Sequence, residues 1–288
     1  MEEKNLSIYR RIGRGFLALL PTVVFLAVQV VFISIVSGLA MGVLMVAGTG
    51  MDAQTLTEQA TELLMDAVMN IQVISQVLTL LVTLPWYYFL FVYRKGRIQV
   101  SQVFRPKKLA GMVILSLGFY VAVNFYMVFM GWALPGLMAE YEALVNESGI
   151  AGLTLLSTAA TLVLAPIGEE IAYRGLTYRY LERTGMPFLA ANLLQAALFG
   201  LVHMNWVQGG YAFALGFLLG IVYKKSGSLA APMLMHMFFN FCGTYLATAL
   251  TGVPLAVNIL LLVLGPVCIG VGLRMTCLGP QWGERQEW

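Results

Sequence analysis

The sequence predicts an all-α, polytopic membrane protein, with about eight transmembrane helices around a polar intramembrane cavity. Four observations predict it. Hydrophobic residues make up 59% of the chain and charged residues only 11%, against about 25% charged in soluble domains. Mean hydropathy is +0.81, more apolar surface than a water-soluble domain of 288 residues can hide. Apolar stretches of about 20 residues recur, each long enough to cross ~30 Å of hydrocarbon as a helix. Basic residues are confined to alternate connections between those stretches.

Taken in order, the spans are 16–47, 71–93, 109–134, 150–183, 187–205, 208–224, 228–250 and 254–274. Lys4, Arg10, Arg11 and Arg14 precede the first. That span is too long for a signal-peptide core and is expected to be retained. The first and fourth exceed one crossing and are expected to tilt or extend beyond the bilayer. Connection 48–70 contains a surface helix at 52–70, with Leu56, Leu63, Leu64 and Val68 near helical spacing and acids between them. Arg94, Lys95, Arg97, Arg105, Lys107 and Lys108 fill the loop after the second span, where Trp86, Tyr87, Tyr88, Phe89 and Phe91 suggest an interfacial aromatic belt. Arg179 and Arg183 follow the fourth span, Lys224 and Lys225 the sixth, Arg274 and Arg285 the eighth. Connections 48–70 and 135–149 hold acids and no Lys or Arg. The positive-inside rule then places both termini in the cytoplasm of an integral, multi-pass protein; in a bacterium this is the plasma membrane. One domain at 16–275 lies between a basic tail at 1–15 and a short cytoplasmic tail at 276–288.

The net charge of +3 reflects this asymmetry and gives no sign of nucleic-acid binding. Cys242, Cys268 and Cys277 match no metal motif or disulfide framework and read as small apolar side chains.

The informative residues are those an apolar helix should reject, since an ionisable group at the bilayer centre costs at least ~2.5–3.5 kcal/mol. Sixteen of the 17 basic residues lie in the tails, in connections or toward span ends, and Arg174 is the exception. It follows Glu170 by four positions, the favourable order on a helix face. Glu169 is rotated by about 100° from Glu170 and lacks that partner. A partly free carboxylate in a dry site is a candidate general base. Asn192, Gln195, Phe199 and His203 form one stripe of one helix, and His236 and Asn240 share a face of another. Pro232 is expected to loosen the latter helix. Such buried groups demand partners in lipid, and the economical arrangement turns both stripes toward Glu169. Depth argues against perfect alignment. At 1.5 Å per residue, straight helices put His236 about 12 Å, Glu169 about 21 Å and His203 about 24 Å from their cytoplasmic ends. Tilt, Pro166 or a submerged 179–187 turn would correct this.

Glu169-Glu170-x-x-x-Arg174, Phe199-x-x-x-His203 and His236-x-x-x-Asn240 follow one another across three helices. Together they resemble the CPBP family of intramembrane proteases, which contains the type II CAAX prenyl endopeptidases and bacteriocin-immunity and processing proteins. The resemblance covers a protease-like core at about 150–250. It implies that Glu169 activates water held by His203, that His236 and Asn240 donate to the oxyanion, and that Glu170, Arg174 and Phe199 support them. It also implies a membrane-associated or lipidated protein or peptide precursor as substrate, alongside membrane lipid.

Glu169, His203 and His236 would also suit zinc, with one coordination position left for water. The sequence lacks HExxH, whose two histidines sit one turn apart on a single helix. Glutamate-based catalysis without a cofactor is the first expectation and zinc assistance the second. Two other readings stand beside the endopeptidase: a proton-coupled transporter using the Glu and His groups as a relay, and a non-catalytic immunity or adaptor protein.

Overall fold

The computed structural model describes residues 8–48, 51–93, 103–148, 154–246, 252 and 254–277. Residues 1–7 of the expected basic tail, Arg94, Lys95 and Arg97 of the basic loop, the end of the seventh span at 247–250 and residues 278–288 lie outside the described residues. Within them every regular element is helical. In order these are α1 (Ile12–Ala47), α2 (Ala53–Asp66), α3 (Val68–Val92), α4 (Pro106–Ala133), α5 (Pro135–Glu147), α6 (Leu155–Glu182), α7 (Phe188–Leu201), α8 (Trp206–Ser226), α9 (Ala230–Phe241) and α10 (Ala256–Cys277). A π-helical turn, Cys242–Leu246, extends α9.

Among the described residues six helices, α1, α3, α4, α6, α8 and α10, are long and apolar enough to cross a membrane. The polytopic all-α architecture is therefore as expected; of the other two expected spans, the fifth is short, and the seventh runs helically from Ala230 to Leu246, where the described residues stop. Helix α7 has 14 residues, about 21 Å at 1.5 Å per residue. It ends at Leu201 because the chain turns there. The Met204 N–H bonds the Leu201 carbonyl, Met204 adopts φ 51°, and the Asn205 side chain accepts from the Gln208 N–H at 3.0 Å to cap α8. Hydropathy ran through this turn because Val202 and Met204 are apolar.

Smaller corrections have similar causes. The surface helix stops at Asp66, so Val68 opens α3. Leu63 faces out, while Leu56, Ala60 and Leu64 turn inward. Helix α5 occupies the acidic connection at 135–149, to which the sequence reading gave no element. Pro232 lies in the first turn of α9, where a missing N–H costs nothing, and so does not loosen the helix. The aromatic group divides: Tyr88 and Phe89 are exposed, but Tyr87 and Phe91 are buried and Arg183 covers the Phe91 ring at 4.2 Å.

Val46, Leu81, Val128 and Val263 are strongly exposed on helix surfaces, which suits lipid rather than water. The antiparallel pair α4–α10 packs closely, because a Cβ on Gly272 would stand 2.5 Å from the Leu115 nitrogen. Helix α9 crosses α4, with the Ser116 hydroxyl donating to the Met235 carbonyl at 3.1 Å. Half of α8 is buried, against about a tenth of α10, so α8 is the more enclosed of the two. Basic residues from several helices meet near one end. Arg14 Nη1 donates to the Arg183 carbonyl at 2.7 Å, Lys224 pairs with Glu182, and Arg179 Nε donates to the Tyr223 hydroxyl at 2.7 Å.

Candidate active site

Helix α6 carries the two carboxylates on a short α-helical stretch between two π-helical turns. The first turn covers Ala160–Leu164, the α-helical stretch Ala165–Glu170, and the second turn Ile171–Thr177. Such bulges are rare and often mark functional positions. The first has a local cause. In α register Pro166 would clash with the carbonyl four residues back. The chain instead shifts register, and the Ala165 N–H reaches back five residues to the Ala160 carbonyl.

The second carboxylate is fully enclosed. Glu170 and Arg174 are both 0% exposed, and Arg174 Nη1 donates to Glu170 Oε1 at 2.8 Å. Arg174 Nη2 donates to the Gly216 carbonyl of α8 at 2.9 Å, and the guanidinium lies 4.7 Å from the Phe199 ring centre. Glu170 Oε1 also meets His236 Nδ1 at 3.0 Å, whereas Glu170 Oε2 is buried without a hydrogen-bond partner. The other face of the same imidazole looks toward the first carboxylate, with His236 Nε2 3.7 Å from Glu169 Oε2. His236 therefore stands between the two acids. Glu169 is the more open, with 16% of its side chain exposed.

Phe199 joins the second histidine to this group. His203 and His236 both meet its ring edge to face, at centroid distances of 5.1 and 5.9 Å. His203 lies beyond α7, not on its stripe, but its Nδ1 is 2.8 Å from the Phe199 carbonyl. That contact and the edge-to-face packing hold the imidazole against Phe199.

Asn192 and Gln195 do not reach the acids. They fasten α7 to α8: Asn192 Nδ2 donates to the Phe217 carbonyl and Gln195 Nε2 to the Gly216 carbonyl, both at 3.0 Å. Gly220 makes room for them, since a Cβ there would fall 1.7 Å from Asn192 Oδ1. Gly220→Ala is expected to destabilise the protein by about 1–3 kcal/mol, the usual cost of overpacking. Thermal unfolding in detergent checks this; an unchanged midpoint would show that the helices can separate freely.

Asn240 is placed differently from expectation. It shares the face of His236, but its Nδ2 donates to the Thr161 carbonyl of α6 at 2.9 Å, beside the first π turn. The side chain is only partly buried, and an amide nitrogen carries two donors.

The bundle thus brings Glu169, Glu170, Arg174, Phe199, His203 and His236 into one contiguous cluster, with Asn240 one helical turn along α9. Two tyrosines escaped the sequence reading because they lie on no polar stripe. The ring of buried Tyr173 meets Phe199 at 5.1 Å. Tyr211 of α8, its hydroxyl 3.4 Å from that of Tyr141, lies within electrostatic reach of Glu169. Among the described residues no three His, Cys, Asp or Glu side chains are grouped as a metal site, so Glu169, His203 and His236 are not assembled as a ligand set. A separate cavity of about 260 Å³ between α4 and α10, lined by Leu117, Val121, Leu264 and Cys268 among others, contains none of these residues.

Fold and site together define a polytopic helical membrane protein with an acid–imidazole cluster inside its bundle. Residues 151–242 match the family described as type II CAAX prenyl endopeptidase Rce1-like, and every candidate residue falls within the match. The family agrees with the resemblance drawn from the three motifs. CAAX prenyl protease 2 of Arabidopsis thaliana is 24% identical over 34% of this chain and 38% of its own length. UPF0177 protein YbdJ of Lactococcus lactis is 22% identical over 53% of this chain and 67% of its own length. The chain thus spans well under half of the plant relative. No solved structure matches it significantly.

Proposed function

We propose that the protein is an intramembrane endopeptidase that hydrolyses a peptide bond of a membrane-associated or lipidated protein or peptide precursor. The observation that carries the reading is His236 standing between Glu169 and Glu170, within the stretch that is similar to the CAAX-protease family. Glu169 takes a proton from a water held by His203 as the water oxygen bonds to the scissile carbonyl carbon. The carbonyl electrons move to oxygen, and Asn240 and a doubly protonated His236, which keeps its Nδ1–H on Glu170 and donates from Nε2, stabilise that oxyanion. Losing one such donor typically costs about 10²–10³ in rate. The intermediate collapses, the C–N bond breaks, and Glu169 returns the proton to the leaving nitrogen. Glu170, itself held by Arg174, fixes the imidazole through Nδ1; Phe199 spaces the two histidines.

No step is routed through a metal; zinc would need Glu169, His203 and His236 to draw together into a ligand set that they do not form here. The basic end is assigned to the cytoplasm with both termini, and the core to 150–250 between the tails at 1–15 and 276–288. In a bacterium the site would lie in the plasma membrane. The name of the plant relative makes a prenylated C-terminal peptide the first substrate to try.

The test uses purified protein in liposomes, farnesylated and unlipidated peptide libraries, and H₂¹⁸O. Hydrolysis is expected to put one ¹⁸O atom into the new carboxylate, with equal yield in chelator. Absence of any cleaved peptide would overturn the reading. Activity lost to chelation and restored by zinc would replace the glutamate-only mechanism.

A further inference from the structure

We propose that Pro166 is a positioning residue for this reaction, because the N–H it lacks leaves the Thr161 carbonyl to Asn240. In the first π turn the Ala165 N–H bonds the carbonyl five residues back, at Ala160. Continuing that register assigns the next carbonyl, Thr161, to the N–H of residue 166. Proline has none. A carbonyl left unpaired inside a membrane bundle must find another donor, and the donor it finds is Asn240 Nδ2 at 2.9 Å.

The consequence is mechanical. Asn240 lies four residues, about one turn, beyond His236 on α9. Thr161 lies eight residues before Glu169 on α6. The bond ties the helix of the imidazole to the helix of the carboxylate, close to where they must meet. It also uses one Asn240 N–H, which leaves a single donor with a fixed direction for the substrate. A second contact joins the same two elements about one turn further from the carboxylates, where the Thr158 and Tyr245 hydroxyls are 2.7 Å apart. The proline thus acts through what it withholds: with an N–H at 166, the helix would satisfy Thr161 itself and Asn240 would turn free.

The idea rests on the endopeptidase reading, and the experiment keeps the two separable. Three forms of the full chain are compared: wild type, Pro166→Ala, and a form in which nonsense suppression places lactic acid at 166. Alanine supplies an N–H. Lactic acid supplies an ester oxygen, so it has alanine's side chain but no N–H. Pro166→Ala is expected to lower kcat by roughly 10–100-fold, the cost of a small misplacement of reacting groups, with KM little changed. The ester form is expected to recover most of that loss. An activity-independent arm observes the side-chain amide of Asn240 by NMR of ¹⁵N-asparagine protein in nanodiscs, assigned with Asn240→Asp. Its protected proton should be lost in Pro166→Ala and return in the ester form. Wild-type kcat with an unchanged Asn240 signal in Pro166→Ala would overturn the proposal. So would an ester form that behaves like alanine in both arms. If no form cleaves any peptide, the endopeptidase reading falls while the NMR arm still decides the link.

Discussion

Glu169→Gln is expected to lower kcat by about 10²–10⁴-fold, the usual contribution of a positioned general base. Glutamine keeps the size and most of the hydrogen-bonding capacity of the side chain but cannot accept the water's proton. KM should change little, because the carboxylate acts on water rather than on the substrate's bulk. The fold should survive. Glu169 is the partly open member of the pair and makes no bond to Arg174, whereas Glu170 is wholly enclosed. Initial rates on the peptide found in the ¹⁸O experiment, with circular dichroism as a check on folding, decide the matter. Equal rates for the two proteins would remove Glu169 from the role of base. A transporter would give a different pattern: proton-coupled flux in liposomes, abolished by the same substitution, with no cleaved peptide from either form.

Much of this site was legible in the sequence because its physics is local. Glu170 and Arg174 are one turn apart, and a buried acid with a base at that spacing has an obvious partner. His203 and His236 stood out as the chain's two histidines, each set among apolar neighbours. What could not be read is where helices stop and what lies between them. Val202 and Met204 look like membrane residues, yet the chain reverses there. The reversal depends on a left-handed Met204 and an Asn205 cap, neither of which lowers hydropathy. Pro166 was noticed as a means of correcting depth. Its effect on the Thr161 carbonyl requires knowing the hydrogen-bond register, which only coordinates supply. The position of His236 between the two acids is likewise a fact of tertiary packing. Sequence spacing gave Glu169 no cation and could not reveal an imidazole arriving from a residue 67 positions away.

Arg174→Met should unfold or severely destabilise the protein, by about 3–5 kcal/mol, the cost of breaking a buried ion pair and leaving one charge uncompensated. Folded proteins hold only about 5–15 kcal/mol in total. Arg174 is wholly buried and serves three partners at once: Glu170, the Gly216 carbonyl and the Phe199 ring. Methionine would fill the space but leave Glu170 with His236 as its remaining partner, since Oε2 already has none. Arg174→Lys should fall between the two. A lysine keeps a positive charge but lacks the planar fork that spans Glu170 and Gly216. The informative protein is the double substitution Glu170→Gln with Arg174→Met. Removing both charges removes the uncompensated one, so it should melt above Arg174→Met. It should nevertheless cleave slowly, because His236 Nδ1 would have lost its anionic partner and the imidazole its fixed orientation. Thermal unfolding of the four proteins in detergent, with kcat measured on those that fold, separates stability from catalysis. An Arg174→Met protein that melts with the wild type would mean that the pair carries no stabilising role. A folded double variant with wild-type kcat would mean that Glu170 does not orient His236.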